Sequence, residues 1–302
     1  MSHFELGIVL LSALIHAVWS VFIKNSRAPL AFNLIQALPI AVLFVPLVLS
    51  VELRVLSPTF WRLLAATGLA HALYFYWLSL AYERADLSLV YPIARSTPAF
   101  LPLLAIPLLG ETITLVGAAG IATVVAGMWA VQLGIRGEAH TAAGARRFPT
   151  LTRGGMIYAY LTLATTVAYS LVDKALMTEL AATPWPGPIP RWLFCFFAMW
   201  MACAVLFVPL ALSRLEPAVL RSVLRHEWRR ATAAALISVL GYGLILKALE
   251  TAPASYVVAV RQSSVLFALG LSVLFLRERP GWLRALGAAA TVLGVALIAR
   301  AT

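Results

Sequence analysis

Charge is scarce in this chain: Asp, Glu, Lys and Arg together make up 12% of its 302 residues. Soluble domains carry about 25%, so a soluble globule is excluded, and no polar stretch is long enough to fold by itself. Cysteine is nearly absent. Cys195 and Cys203 fall in one apolar stretch and read as small hydrophobes, with no disulfide framework or metal motif. The phosphate-cradling pattern G-x-x-x-x-G-K-[ST] is missing, which removes ATP as a direct driver. No H-E-x-x-H, no G-x-S-x-G and no close carboxylate pair occurs within an apolar span, so no catalytic constellation is marked. No cofactor or metal site is implied. The opening MSHFELG lacks a basic leader and a small-residue cleavage site, and reads as the start of a retained first helix.

What is present is apolar length: 62% of residues are hydrophobic. About 20 residues at 1.5 Å rise cross a ~30 Å hydrocarbon core. By that measure spans fall at 4–23, 29–49, 61–82, 87–109, 112–135, 154–176, 191–212, 231–249, 254–276 and 282–299. The expected fold is an all-α membrane protein of ten transmembrane helices. The net charge of +11 does not point to nucleic acid, because the arginines cluster in loops between spans, where they orient a membrane protein.

The fourth span is unusual. It carries Pro92, Pro98, Pro102 and Pro107, and one arginine, Arg95. Proline removes a helix donor and clashes with the preceding turn, so this span should be broken. Backbone freed in lipid survives only against protein or a water-filled cavity. The ninth span carries Arg261, with Glu278 beyond it as Glu111 lies beyond the fourth.

These spans belong to an internal repeat. A shift of 167 places Ala81 on Ala248, Glu83 on Glu250, Ser96 on Ser263, Glu111 on Glu278, Gly120 on Gly287 and Gly127 on Gly294. Nearer the start a shift of 150 places Trp19 on Tyr169, Ser20 on Ser170 and Lys24 on Lys174. The halves are therefore 1–135 and 154–302, joined by a connector at 136–153. Five helices per half, an odd number, force the second copy to enter the bilayer upside down. Two inverted five-helix repeats with discontinuous helices are the plan of secondary transporters, whose sites lie near the midplane.

Candidate site residues follow from depth. Arg95 lies about 9 Å and Arg261 about 10 Å into their spans at helical rise, from opposite faces. A central arginine costs on the order of 3 kcal/mol unless paired or hydrated. Each can grip a carboxylate, phosphate or phosphonate, or bond a broken helix's carbonyls. Tyr91, Ser96, Gln262 and Ser263 offer polar partners beside them, for a ligand or for freed backbone. His16, His71 and Asp173 are candidates for proton coupling, although Asp173 and Lys174 read as ending the sixth span near the interface. Trp19, Tyr74, Tyr76, Trp77, Tyr169 and Tyr242 are candidates for an aromatic wall. Glu111 and Glu278 open the fifth and tenth spans and read as caps of those helices. Gly117, Gly120, Gly127, Gly287 and Gly294 allow close helix packing.

Loop arginines and lysines collect on one side: Lys24, Arg27, Arg84, Arg136, Arg146, Arg147, Arg153, and those at 213–230 and 277–284. This bias makes that side cytoplasmic and puts both termini outside. At 213–230 apolar residues recur at helical spacing opposite Arg221, Arg225 and Arg229, as in an amphipathic helix suited to an anionic leaflet.

In order and spacing the residues resemble the drug/metabolite transporter superfamily, EamA-type branch, over essentially the whole chain. The matching features are H-A-V-W at 16–19, A-Y-x-x-x-D-L-S at 81–88, Y-P-I-A-R at 91–95 with Pro98, and G-E at 110–111. The second half adds A-P-A at 252–254, R-Q-S-S at 261–264 and R-E-R at 277–279. The Y-P-I-A-R pattern is similar to that of a subset associated with phosphonate metabolism. Ser20 and Gln262 depart from the asparagine and glutamate common at these places, and Gln262 removes a titratable carboxylate. The resemblance implies a cavity lined by helices one, three, four, six, eight and nine. It also implies cytoplasmic termini, opposite to the loop charges. The function expected is secondary active transport, as exporter or permease, of a small organic metabolite by alternating access, in a bacterial cytoplasmic (inner) membrane. Anionic or zwitterionic solutes such as amino acids or phosphonate-type compounds fit the arginines. The alternatives are a flippase for a lipid-linked or amphipathic substrate, and an intramembrane enzyme. Expected partners are a small-molecule substrate and membrane lipid, with no nucleic acid. Pairing into a homodimer is left open.

Overall fold

The computed structural model describes residues 1–24, 26, 28–84, 87–142, 153–185, 187–276 and 280–301. Among these no strand occurs. The first half comprises α1 (His3–Lys24), α2 (Pro29–Leu49), α3 (Pro58–Arg84), α4 (Leu87–Ala94), α5 (Thr97–Leu109) and α6 (Leu115–Ala142). The second comprises α7 (Arg153–Ala182), α8 (Arg191–Leu212), α9 (Pro217–Leu249), α10 (Ala254–Arg261), α11 (Ser264–Leu276) and α12 (Trp282–Arg300). Among the described residues eight stretches are long and apolar enough to cross a membrane; with α2 and α7 they make two sets of five. Leu103, Leu108, Leu115, Val205 and Leu274 are more than two-thirds exposed, an apolar exterior that suits lipid.

Both charged spans are broken, by different means. Between α4 and α5, Ser96 N donates to Ile93 O at 3.0 Å and Ala99 N to Ser96 O at 2.9 Å, while Pro98 stands in the first turn of α5 with no N–H to give. Between α10 and α11 no proline is present. There Gln262, Ser263 and Val265 each donate to the carbonyl three residues back, at 3.0 Å, so the helix tightens and restarts at Ser264.

Inversion is visible in the glycine seam between α6 and α12. A Cβ on Gly120 would lie 2.9 Å from Gly294 O, and one on Gly127 would lie 2.6 Å from Gly287 O. The partner number falls as the residue number rises, so the two helices are antiparallel. The repeat register exchanges these two contacts with each other, as a two-fold axis in the membrane plane requires. The same exchange relates α3 against α7 to α9 against α1, and α5 against α7 to α11 against α1.

Two expectations change. The segment at 213–230 is no separate amphipathic helix: it runs without a break into the eighth span as α9, 33 residues or about 50 Å long. No glycine or proline stands near Arg230 and Ala231 to stop it. Val223 and Glu227 turn inward, while Leu224 and Trp228 stay exposed beside Arg221, Arg225 and Arg229. Glu111 is indeed a cap, but of α10 in the other half and not of its own helix. Its carboxylate accepts from the Ala254 and Ser255 amides and from Ser255 Oγ. Glu278 and residues 143–152 lie outside the described residues.

Candidate functional site

Between the halves lies a cavity of about 650 Å³, open solvent included. Each contributing helix presents one face at helical spacing: Ile15, His16 and Trp19 from α1; His71, Tyr74 and Phe75 from α3; Met199, Trp200 and Cys203 from α8. From α9 come Ile237, Ser238, Gly241 and Tyr242, from α7 Tyr169, and from the end of α10 Arg261. Among the described residues the lining includes α8, the seventh span, which the resemblance does not name, and none from the fourth span.

The two arginines are placed differently. Arg261 reaches the cavity, its guanidinium 5.0 Å from the centre of the Tyr242 ring. Arg95 crosses to the other half: Nη1 donates to Ser264 Oγ at 2.7 Å, and Nη2 lies 2.8 Å from His16 Nε2. Arginine only donates, so His16 Nε2 accepts and the ring is neutral with its proton on Nδ1. His16 stacks on Trp19, 5.2 Å between ring centres. Trp19 Nε1 in turn donates to Gln36 Oε1 at 3.1 Å, and Gln36 Nε2 to Asn33 Oδ1 at 2.8 Å.

Asp173 is not at an interface. It is fully buried, because α7 continues to Ala182 and puts it a third of a helix from the end. Thr67 Oγ1 donates to its Oδ1, Tyr242 Oη donates to Oδ2, and His71 Nε2 lies 3.2 Å from Oδ2. His71 stacks on Tyr169 at 4.1 Å, and Tyr74 meets the same tyrosine edge-on at 5.4 Å. Three helices thus converge on one carboxylate. Lys174 turns away, donating to Leu249 O at 2.8 Å.

Other candidates fall elsewhere. Ser96 Oγ donates to Pro92 O at 2.7 Å and accepts from Trp129 Nε1 at 3.1 Å, so it serves the broken backbone. Gln262 and Ser263 are buried at the second break and are not among the lining residues. Tyr91 belongs to α4, and its side chain lies outside the described residues. Tyr76 packs on Trp77 under Arg214, and Trp77 stacks on Tyr158, both away from the cavity. Thr67, Asn33, Gln36 and Trp200 were missed by the sequence reading. Thr67 precedes His71 by four residues and Asn33 precedes Gln36 by three, so polar pairs at helical spacing inside apolar spans mark the first three, while Trp200 carries no such signal.

Two inverted five-helix halves, with broken helices beside a cavity of aromatic and charged side chains, define a multi-pass membrane protein built as a transporter. The model of the EamA-like transporter family matches residues 3–133 and again 153–300. The chain belongs to this family, whose members are transporters of small molecules. No curated protein matches the chain. Its fold is similar to that of a solved crystal structure at TM-score 0.73, with 16% identity, covering 99% of this chain and 98% of that one.

Proposed function

We propose that this protein is a secondary transporter of the bacterial cytoplasmic membrane, carrying a small organic solute with an anionic group and an apolar body by alternating access. The observation that supports this most is Arg261, a fixed cation in a cavity whose wall includes Trp19, Tyr74, Tyr169, Tyr242 and Trp200. A guanidinium offers a planar fork to a carboxylate, sulfonate or phosphonate, and the rings accept the apolar part. Arg95 is a positioning residue: it ties the second helix break to α1 and keeps His16 oriented behind Trp19. A hydrogen bond to a charged group is worth about 1.5–3 kcal/mol, so Arg261→Gln should weaken anion binding by about 10–100-fold.

The test is thermal shift of purified protein against carboxylates, sulfonates, phosphonates and organic cations, followed by uptake into sealed proteoliposomes. Ligand binding raises apparent stability by mass action. Anions should stabilise the native chain and fail to stabilise Arg261→Gln. Equal stabilisation of both proteins, or a response to cations alone, overturns the anionic substrate class. Conversion of the ligand by solubilised protein would replace transport with catalysis.

A further inference from the structure

We infer that the Asp173–His71 pair, whose histidine lines the cavity, is a proton-binding site linked to the solute, so that one proton accompanies one bound anion. This rests on the anion-binding reading of Arg261. The geometry behind it is independent. Asp173 is fully buried within a transmembrane bundle, where an uncompensated carboxylate is strongly disfavoured. Its donors are Thr67 and His71 from α3 and Tyr242 from α9. Of these three, His71 alone has a second ring nitrogen that can take up a proton.

The pair communicates with the anion site through two rings. Tyr169 stacks on His71 at 4.1 Å and lines the same cavity as Arg261. Tyr242 donates to Asp173 and lies under the Arg261 guanidinium at 5.0 Å. An anion docking on Arg261 brings a second negative charge close to the Asp173 carboxylate, and like charges near one another favour a proton on one of them, in a medium where the repulsion is strongly felt. A proton taken from cavity water relieves it: it forms one N–H or O–H bond within the pair and leaves a hydroxide to the bulk.

Other groups facing the pair do not take this role. From α8 comes the buried thiol of Cys195, and from the walls the phenols of Tyr74, Tyr169 and Tyr242, all neutral at pH 7. Beyond them, Arg95 and His16 bond each other at 2.8 Å. Lys174 is directed to Leu249 O, and Glu250 pairs with Lys247 at 2.5 Å. Among the described residues the Asp173–His71 pair is the group at the cavity that can gain a proton. Coupling is reciprocal, so anion affinity should rise as pH falls, by up to about tenfold per pH unit where the pair titrates.

The probe is benzenesulfonate, whose own group does not titrate near neutrality. Calorimetry on the full chain in two buffers of different ionisation heat counts protons taken up on binding. The native protein should take up close to one; Asp173→Asn and His71→Gln should take up markedly fewer, with affinity that no longer follows pH. Undiminished uptake in either variant overturns the proposal. Should either variant fail to fold, Tyr242→Phe keeps the pair and its packing. Loss of that donor should raise the carboxylate's hold on a proton and move the pH window upward; an unmoved window overturns the proposal. Infrared difference spectra of ligand-free protein between about pH 5 and about pH 9 are read separately. A titrating carboxyl or imidazole band absent from Asp173→Asn supports the site, and its absence from the native protein overturns it. Lack of benzenesulfonate binding alongside a positive infrared titration sinks the reading of Arg261 and not the proton site.

Discussion

Arg95 and Arg261 occupy similar depths in similar broken helices, yet they do different things, and one residue of register explains it. The shift that aligns Ser96 with Ser263 puts Arg95 on Gln262 and Arg261 on Ala94. One residue rotates a helical side chain by about 100°, enough to turn Arg261 to the cavity and Arg95 toward Ser264 and His16. Arg95→Gln should therefore lower stability, by roughly 2 kcal/mol for the charged bonds lost, measured as a fall in thermal midpoint. Arg261→Gln should remove the anion response and lower the midpoint of the ligand-free protein less than Arg95→Gln does. A larger stability loss from Arg261→Gln than from Arg95→Gln contradicts this division. Polar residue types at depth marked both arginines, both histidines and the aromatic residues in the sequence. Their grouping was hidden, because Thr67, Asp173 and Tyr242 are 69 or more positions apart and only helix packing unites them.

At the scale of helices, the first break is legible in four prolines and the second is not. The tight turn at Gln262 and Ser263 is fixed by tertiary contact: Arg95 holds Ser264 from outside, and Glu111 holds the opposite end of α10 by its first amides. A carboxylate at a helix N-terminus satisfies orphan donors and complements the dipole. The sequence placed Glu111 at a helix start correctly by chemistry but assigned it the wrong helix, since chain proximity is all that a single sequence offers. Near the same end, Thr251 Oγ1 donates to Glu5, and Tyr256 Oη accepts from the Thr114 amide at 3.3 Å. Together these contacts close the membrane face where α1 begins. Glu111→Ala should cost about 1–2 kcal/mol, the usual price of a lost cap, and Glu111→Gln less, because one acceptor oxygen remains. Thermal denaturation of the two variants decides this; equal midpoints for Glu111→Ala and the native chain would mean the cap holds nothing.

For the molecule as a whole, the repeat made inversion legible and the glycine seam displays it. A Cβ at Gly127 would meet backbone, Gly287 O at 2.6 Å, where no rotamer change can relieve it. Gly127→Ala should therefore destabilise by about 1–3 kcal/mol as overpacking does, whereas Gly7→Ala, with open space around its Cβ, should not. Orientation is the remaining global property, and here two sequence arguments oppose each other. The structure adds that Arg214, Arg221, Arg225 and Arg229 are exposed where α9 emerges from the core, on the side to which Arg230 also bonds Phe22 O at the end of α1. An exposed basic helix end of this kind is held at the cytoplasmic leaflet by its anionic headgroups, which favours the loop-charge argument over the resemblance. Single cysteines, Ser222→Cys on that side and Thr112→Cys on the other, in a chain with Cys195 and Cys203 replaced, report the topology through a membrane-impermeant maleimide. Thr112→Cys should react in intact cells and Ser222→Cys only after permeabilisation; the reverse pattern would place the termini inside and leave the arginines facing outward.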